Sequence, residues 1–289
     1  MFDEDPLENA RICVRAAQSD GADHGDFHLR SVLRRLRIGT DEKIGDLEEF
    51  GAALSLSLTR LARTVANPRI GIVGSTDTGL LANTLTSAWA AGGQDLVGRL
   101  SITLMDRSSI PLRICEAYAA RIGIAVDLVE GDFLDLSQRW AFDLVVMHGV
   151  VPFFPADQRA DYLSHIAGWL SGQGILISST HLGTKPYPNT DDVRTRMAIE
   201  NLKTLAEDMP EIDAAILAKL IGRLEDSRET WTTERTVFKD LDAAIEAYEA
   251  AGLMLSSGWV VRLGKRAAAQ QFRRYKSRCI VICNKAAAP

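Results

Sequence analysis

At 289 residues the chain can bury a substantial core, as one large domain or one domain with an appendage. Its 46% apolar and 25% charged residues are those of a globular protein in water, and no apolar run approaches the length of a bilayer span. A net charge of −5 argues against a generic nucleic-acid binder, whose surface must neutralise phosphates.

Residues 7–66 show no strand pattern. Leu29, Val32, Leu33 and Leu36 recur at helical spacing, as do Leu47, Phe50, Leu54, Leu58, Leu61 and Val65, with the Gly/Asp/Lys-rich Ile38–Gly45 as a loop between them. This predicts a helical N-terminal extension over 1–66 that packs on a sheet or builds a homodimer contact. Met1–Ala10 is acidic and lacks an apolar stretch, so no secretory leader and a cytoplasmic location are expected. Asn67-Pro68 closes the last of these helices, because the residue before proline avoids helical backbone.

From residue 69 strands and helices alternate. Arg69–Val73 reads as the first strand, followed by a helix through Leu80, Leu85 and Trp89 to Gly92-Gly93. Leu100–Met105 is the second, ending at Asp106; Ser108 or Ser109 can cap the next helix, with Pro111 in its first turn. Ile124–Val129 and Phe142–Met147 are the third and fourth. A helix bearing Tyr162, Leu163, Ile166, Trp169 and Leu170, then a Ser171-Gly-Gln-Gly174 turn, lead to a fifth, Ile175–Ser179. Strands apolar throughout are buried on both faces, which implies a parallel sheet with helices outside.

Pro186, Pro188 and Asn189 mark a loop, after which helices are expected at about Asp191–Asp208, Glu211–Glu229 and Leu241–Gly252. Two late strands, Leu253–Leu263 and Cys279–Cys283, leave no room for a helical crossover and are expected to pair antiparallel, joined by the basic run 264–278. The division expected is an extension over 1–66 and an α/β domain over 67–289 with a helical insertion at about 183–250. Cys13, Cys115, Cys279 and Cys283 are dispersed, without zinc spacing, and read as buried free thiols; no metal site is expected.

The most informative stretch is Arg69-Ile-Gly-Ile-Val-Gly-Ser-Thr-Asp-Thr-Gly79. An apolar strand breaks into small, hydrogen-bonding residues and then a helix, the arrangement that holds nucleotide-type ligands at a helix N-terminus. Gly74 and Gly79 permit close approach of a ligand, and Ser75, Thr76 and Thr78 offer hydroxyls. Two further strands end in acids: Asp106, with Arg107 beside it, and Glu130-Gly131-Asp132-Phe133. The fourth ends in His148-Gly149.

In this order and spacing the chain resembles the class I S-adenosylmethionine-dependent methyltransferases, over 69–180 closely and over 251–284 by architecture. The resemblance implies an α/β, Rossmann-like methyltransferase fold: a seven-stranded, mostly parallel sheet with an antiparallel last strand, plus the N-terminal extension and the insertion. It implies S-adenosylmethionine as cofactor, bound by Gly74, Ser75, Thr76, Gly79, Asp106, Arg107, Asp132, Phe133, His148 and Gly149. In the family the acid after the second strand accepts bonds from the ribose hydroxyls, and the acid after the third meets the adenine amino group. The Gly-x-Gly-x-Gly pattern is departed from, with Thr76 and Thr78 at the second and third glycines and Ile72 where an acid usually stands.

His148 faces the expected cleft and is the candidate catalytic base; the alternative is a histidine that shapes the pocket or bonds a backbone carbonyl. His181 and Tyr187 are candidates on the substrate side. A small-molecule acceptor is expected, because no extended basic stripe serves nucleic acid. The competing readings are a methyltransferase-like protein that binds the cofactor or a relative without transfer, a nicotinamide-dependent oxidoreductase lacking its Gly-x-Gly-x-x-Gly pattern, and a scaffold built on the helical segments.

Overall fold

The computed structural model of the chain describes residues 2–19, 22–36, 46–75, 77–183, 191–230, 238–262 and 277–286. The expected loops at Pro186–Asn189 and Ile38–Gly45 and most of the basic run 264–278 lie outside these residues, as do Thr76 and Tyr187. Helices α1 (Pro6–Ser19), α2 (Ala22–Arg35) and α3 (Leu47–Thr64) precede the first strand. The strands are β1 (Arg69–Val73), β2 (Ser101–Asp106), β3 (Asp127–Glu130), β4 (Phe142–His148), β5 (Leu170–Leu182), β6 (Leu253–Arg262) and β7 (Ser277–Lys285). Between them run α4 (Gly79–Arg99), α5 (Ser109–Arg121), α6 (Arg159–Trp169), α7 (Asp191–Glu207), α8 (Ala214–Thr230) and α9 (Leu241–Ala250).

Among the described residues seven strands form one sheet in the order β3-β2-β1-β4-β5-β7-β6. The first five are parallel, and β7 runs antiparallel to both β5 and β6. Alternate residues of each central strand feed opposite cores, as the period of a strand requires. Leu144 and Val146 of β4 join Ile70, Ile72, Ile102 and Ile177 in a cluster beneath α3 and α4, whereas Val145 and Met147 join Met105, Leu176 and Val281 under α6 and α9. No helix among the described residues is long and apolar enough to cross a membrane.

A third apolar cluster lies away from the sheet. Ala10, Cys13 and Val14 of α1 and Leu29, Val32 and Leu33 of α2 pack with Leu202 and Leu205 of α7 and Leu220 and Leu224 of α8; Ile110 and Ile114 of α5 seat it. Arg223 of α8 pairs with Asp26 of α2 at 2.7 Å and donates to the Ala17 carbonyl, while Asn201 of α7 donates to the Leu33 carbonyl at 2.7 Å. The first two helices and the insertion are therefore one helical cap, and α3 alone of the N-terminal helices packs along α4 on the sheet.

Several boundaries differ from those expected: β3 begins at Asp127 rather than Ile124 and α8 at Ala214 rather than Glu211, and two further differences have a local cause. The helix after β1 does not end at Gly92-Gly93: Gly93 leaves helical geometry (φ 63, ψ −157) and the helix resumes to Arg99. Ser171–Gly174 is not a free turn but the start of β5, with a shift of register against Phe142 and Leu144. A Cβ on Gly174 would lie 2.7 Å from the Phe142 carbonyl oxygen, so only glycine lets the two backbones approach there.

Candidate functional site

Register brings the carboxyl ends of the parallel strands to one edge. Val73 is level with Met105 and Met147, Asp106 with Glu130, and His148 with Ser179. Because β7 runs the other way, its beginning arrives at the same edge, with Arg278 opposite His181. In open α/β sheets this edge is where ligands bind.

At the glycine loop the backbone reverses through Gly74 (φ +69), whose N–H donates to the Met105 carbonyl at 2.8 Å. A Cβ there would meet Val150 at 2.6 Å, so glycine is required by the turn and by its packing neighbour. The Ser75 N–H donates to Oδ2 of Asp106 at 3.0 Å, and the Ser108 N–H to Oδ1 at 2.9 Å. His28 of α2 approaches the same Oδ1, at 3.8 Å. Burial pushes the Asp106 carboxyl up to about 6, against the opposing pull of the Ser108, Ser75 and Arg107 N–H groups. Ser108 also caps α5, its side chain accepting from the Ile110 N–H.

The cap reaches the loop directly. Arg35 of α2 pairs with Asp77, whose Oδ1 accepts from the Gly79 N–H at 2.9 Å. The Thr78 hydroxyl accepts from Asn9 of α1 at 2.8 Å and donates to Glu4 at 3.1 Å. Burial, followed by the Asp77 charge, raises the Glu4 carboxyl above its ordinary range.

After β3, Asp132 accepts from the Tyr162 hydroxyl at 3.0 Å and from the Leu134 N–H at 3.0 Å, and pairs with Arg107 at 3.3 Å. The Phe133 ring is buried edge-on to Phe154 and Trp169, within the core on the α6 side. Gly149 turns the chain after β4 (φ +72), and a Cβ there would lie 3.4 Å from Arg278.

The fourth-strand end is surrounded by a polar cluster. Asp46, wholly buried at the N-cap position of α3, accepts from Arg278 Nη1 at 2.6 Å and from the Ser179 hydroxyl, and lies 3.1 Å from His148 Nε2. Arg278 also lies 2.9 Å from His148 Nε2 and 3.0 Å from His181 Nε2. Burial favours the protonated form of Asp46, but the bonds and charges of His148, Arg278 and Ser179 together outweigh it and hold the carboxyl well below the usual carboxylate range. Burial, then the Arg278 charge, lower His148 below an ordinary imidazole despite Asp46.

The structure thus joins Gly74, Ser75, Gly79 and Asp106 at one end of the edge, Arg107 and Asp132 beside them, and His148, Gly149 and His181 at the other. Asp46, Arg278, Ser179, His28 and Tyr162 were not singled out in the sequence as site residues. Among the described residues no group of three or more His, Cys, Asp or Glu is placed to hold a metal ion, and all four cysteines are buried and free.

No family model matches the chain, and no curated protein matches it either. Solved structures do. The N-methyltransferase NodS from Bradyrhizobium japonicum, in complex with S-adenosylhomocysteine, is 11% identical with a TM-score of 0.50, covering 89% of this chain and 98% of its own. The 1,6-didemethyltoxoflavin-N1-methyltransferase of Burkholderia thailandensis, with 1,6-didemethyltoxoflavin and S-adenosylhomocysteine bound, is 14% identical with a TM-score of 0.51, covering 98% and 92%. The [4+2]-cyclase SpnF is 14% identical with a TM-score of 0.53, covering 91% and 94%. The sheet order, the reversed seventh strand and these likenesses establish that the chain has the class I methyltransferase fold.

Proposed function

We propose that the protein is an S-adenosylmethionine-dependent methyltransferase acting on a small molecule. The observation that carries the reading is Asp106, an acid at the tip of β2 that the glycine loop itself holds through the Ser75 N–H. An ionised carboxylate offers about four acceptor positions; the Ser75 and Ser108 N–H groups take one on each oxygen, the Arg107 N–H also acts on it, and the capacity left can accept from a ribose hydroxyl. That acceptor fits an adenosine ribose. Ser75 and Gly74 would lie along the methionine end, and Asp132 with Arg107 at the base. Two of the similar structures hold S-adenosylhomocysteine. Bound there, S-adenosylmethionine supplies an electrophilic methyl group on a positively charged sulfur. The chain's part is to align an acceptor with that carbon and to exclude water; the contacts of Asn9 of α1 and of His28 and Arg35 of α2 with the glycine loop and Asp106 support such a role for the cap.

A second reading, use of the fold without methyl transfer, is favoured by the cyclase among the similar structures and by how closely Glu4, Asn9, His28 and Arg35 cover the loop. Calorimetric titration with S-adenosylmethionine and S-adenosylhomocysteine tests both readings. Wild-type protein should bind each, and Asp106→Ala should lower affinity by about 30-fold, the loss of a charge-assisted bond, with an unchanged circular dichroism spectrum. Binding of neither ligand by the wild type overturns cofactor use. Binding without transfer of labelled methyl to any small acceptor favours the second reading.

A further inference from the structure

Thr78 departs from the glycine pattern that the chain otherwise resembles, and the fold gives its side chain a use. The residue is wholly buried at the N-cap position of α4, yet its hydroxyl makes no bond to that helix. It accepts instead from Asn9 of α1 at 2.8 Å and donates to Glu4 at 3.1 Å. A glycine could make neither bond. Its backbone (φ −70, ψ −13) is one that any residue adopts, so the turn itself does not demand glycine here. Beside it, Asp77 pairs with Arg35 of α2, whose Nη1 also lies 3.8 Å from Glu4. Two adjacent loop residues thus fasten both of the first two helices.

The segment 2–9 has a second set of ties, to α5. The Tyr118 hydroxyl donates to the Phe2 carbonyl at 2.9 Å, and Arg121 donates to the Asp5 carboxylate and the Asp3 carbonyl, each at 3.3 Å. The Arg121 ties are exposed and compete with water, whereas the Asn9–Thr78 bond is buried. What these ties hold in place includes the cover of Asp106. Nε2 of His28, on α2, is 3.8 Å from Oδ1, and the two side chains expose only 8% and 11% of their surfaces. So little surface gives a ribose no way to the carboxylate while α2 stays where it is. The imidazole contact and a ribose bond are therefore alternatives at Asp106.

We propose that Thr78 is a latch on cofactor entry: its bonds to Asn9 and Glu4, with the Arg35–Asp77 pair, hold α1 and α2 over the glycine loop, and S-adenosylmethionine enters only after they part and His28 leaves Asp106. The inference rests on the cofactor reading above and adds to it a step that precedes binding. It also gives the departure from glycine a physical reason, since the threonine is the handle by which the cap grips the loop.

Stopped-flow mixing with S-adenosylhomocysteine, followed by tryptophan fluorescence, measures entry. The wild-type rate should level off as ligand is raised, at the rate of opening. That plateau should rise about fivefold in Asn9→Ala, which breaks one bond and leaves the loop's own sequence intact, and about 20-fold in Thr78→Gly, which breaks two. Thr78→Ser keeps the hydroxyl and should stay within about twofold of wild type. Without any ligand, hydrogen exchange of the amides in residues 2–9 should speed up in the same order. A wild-type rate that stays linear in ligand and is unchanged in Thr78→Gly overturns the latch, as does a Thr78→Ser protein that behaves like Thr78→Gly. Binding by Thr78→Gly but not by wild type would support it outright. If no variant binds S-adenosylhomocysteine, the cofactor reading falls, and exchange in residues 2–9 still decides whether Thr78 holds the cap: equal exchange in wild type and Thr78→Gly overturns that as well.

Discussion

At the glycine-loop half of the sheet edge, Asp106 is held by N–H groups of Ser75 and Ser108, a strand away and two residues away. At the other half, Asp46 is held by side chains 102, 133 and 232 residues distant, those of His148, Ser179 and Arg278. The difference shows in the two acids' chemistry. Backbone dipoles do not overcome the burial of Asp106, and its carboxyl rises to about 6. A full guanidinium charge and an imidazole do overcome the burial of Asp46, and its carboxyl falls. One acid is thus poised to gain from a ligand that brings donors, and the other is already satisfied by the protein.

The largest effect expected from this contrast is on stability. Asp46→Ala leaves the Arg278 charge buried without its counterion and should cost about 3–5 kcal/mol in urea unfolding; a cost below about 1 kcal/mol would put the two acids in one class. A smaller effect is expected from pH. The folded state binds the Asp106 proton more tightly than the unfolded chain, whose ordinary value is 3.8 against about 6 when folded. Stability contributed at that site therefore falls as pH rises through this window and returns on acidification. Relative to Asp106→Asn, the wild type should gain up to a few kcal/mol between pH 7 and pH 4, since each tenfold difference in proton affinity is worth about 1.4 kcal/mol. Asp46 has the opposite sign: its contribution is present above the unfolded value of 3.8 and is lost only as pH falls below it. A flat difference curve for Asp106→Asn would remove the contrast. Smallest of all, Ser108→Ala should cost about 1 kcal/mol through the lost cap of α5, with Asp106 left in place.

The same contrast explains what could be read from the chain. The limits of β1 and the apolar run of β4 follow from local composition, and both were legible in the sequence to within a residue. Ser108 could be read as a cap and Asp106 as a strand-tip acid because the signal lies within a few positions. Asp46 offers only an acid before an amphipathic helix, a sign of capping that the structure does not use. Arg278 stands at the edge of a basic run that hides it, and only the antiparallel direction of β7 brings it to the site. The cap was harder still: the helical spacing of Leu29, Val32 and Leu33 predicts a buried face, but nothing local says that Leu202 and Leu224 cover it. Ser171–Gly174 misled for a related reason, since a glycine that allows two strands to touch looks like one that allows a turn.

β7 lies inside the sheet, between β5 and β6, although it is the last of the seven strands to leave the ribosome. Until it docks, β6 has no partner in the sheet and Asp46, synthesised more than two hundred residues earlier, has no guanidinium beside it. Completion of the sheet and assembly of the His148 end of the site are consequently a single late event, and a nascent chain stalled before residue 278 would carry an unneutralised acid beneath its fourth strand.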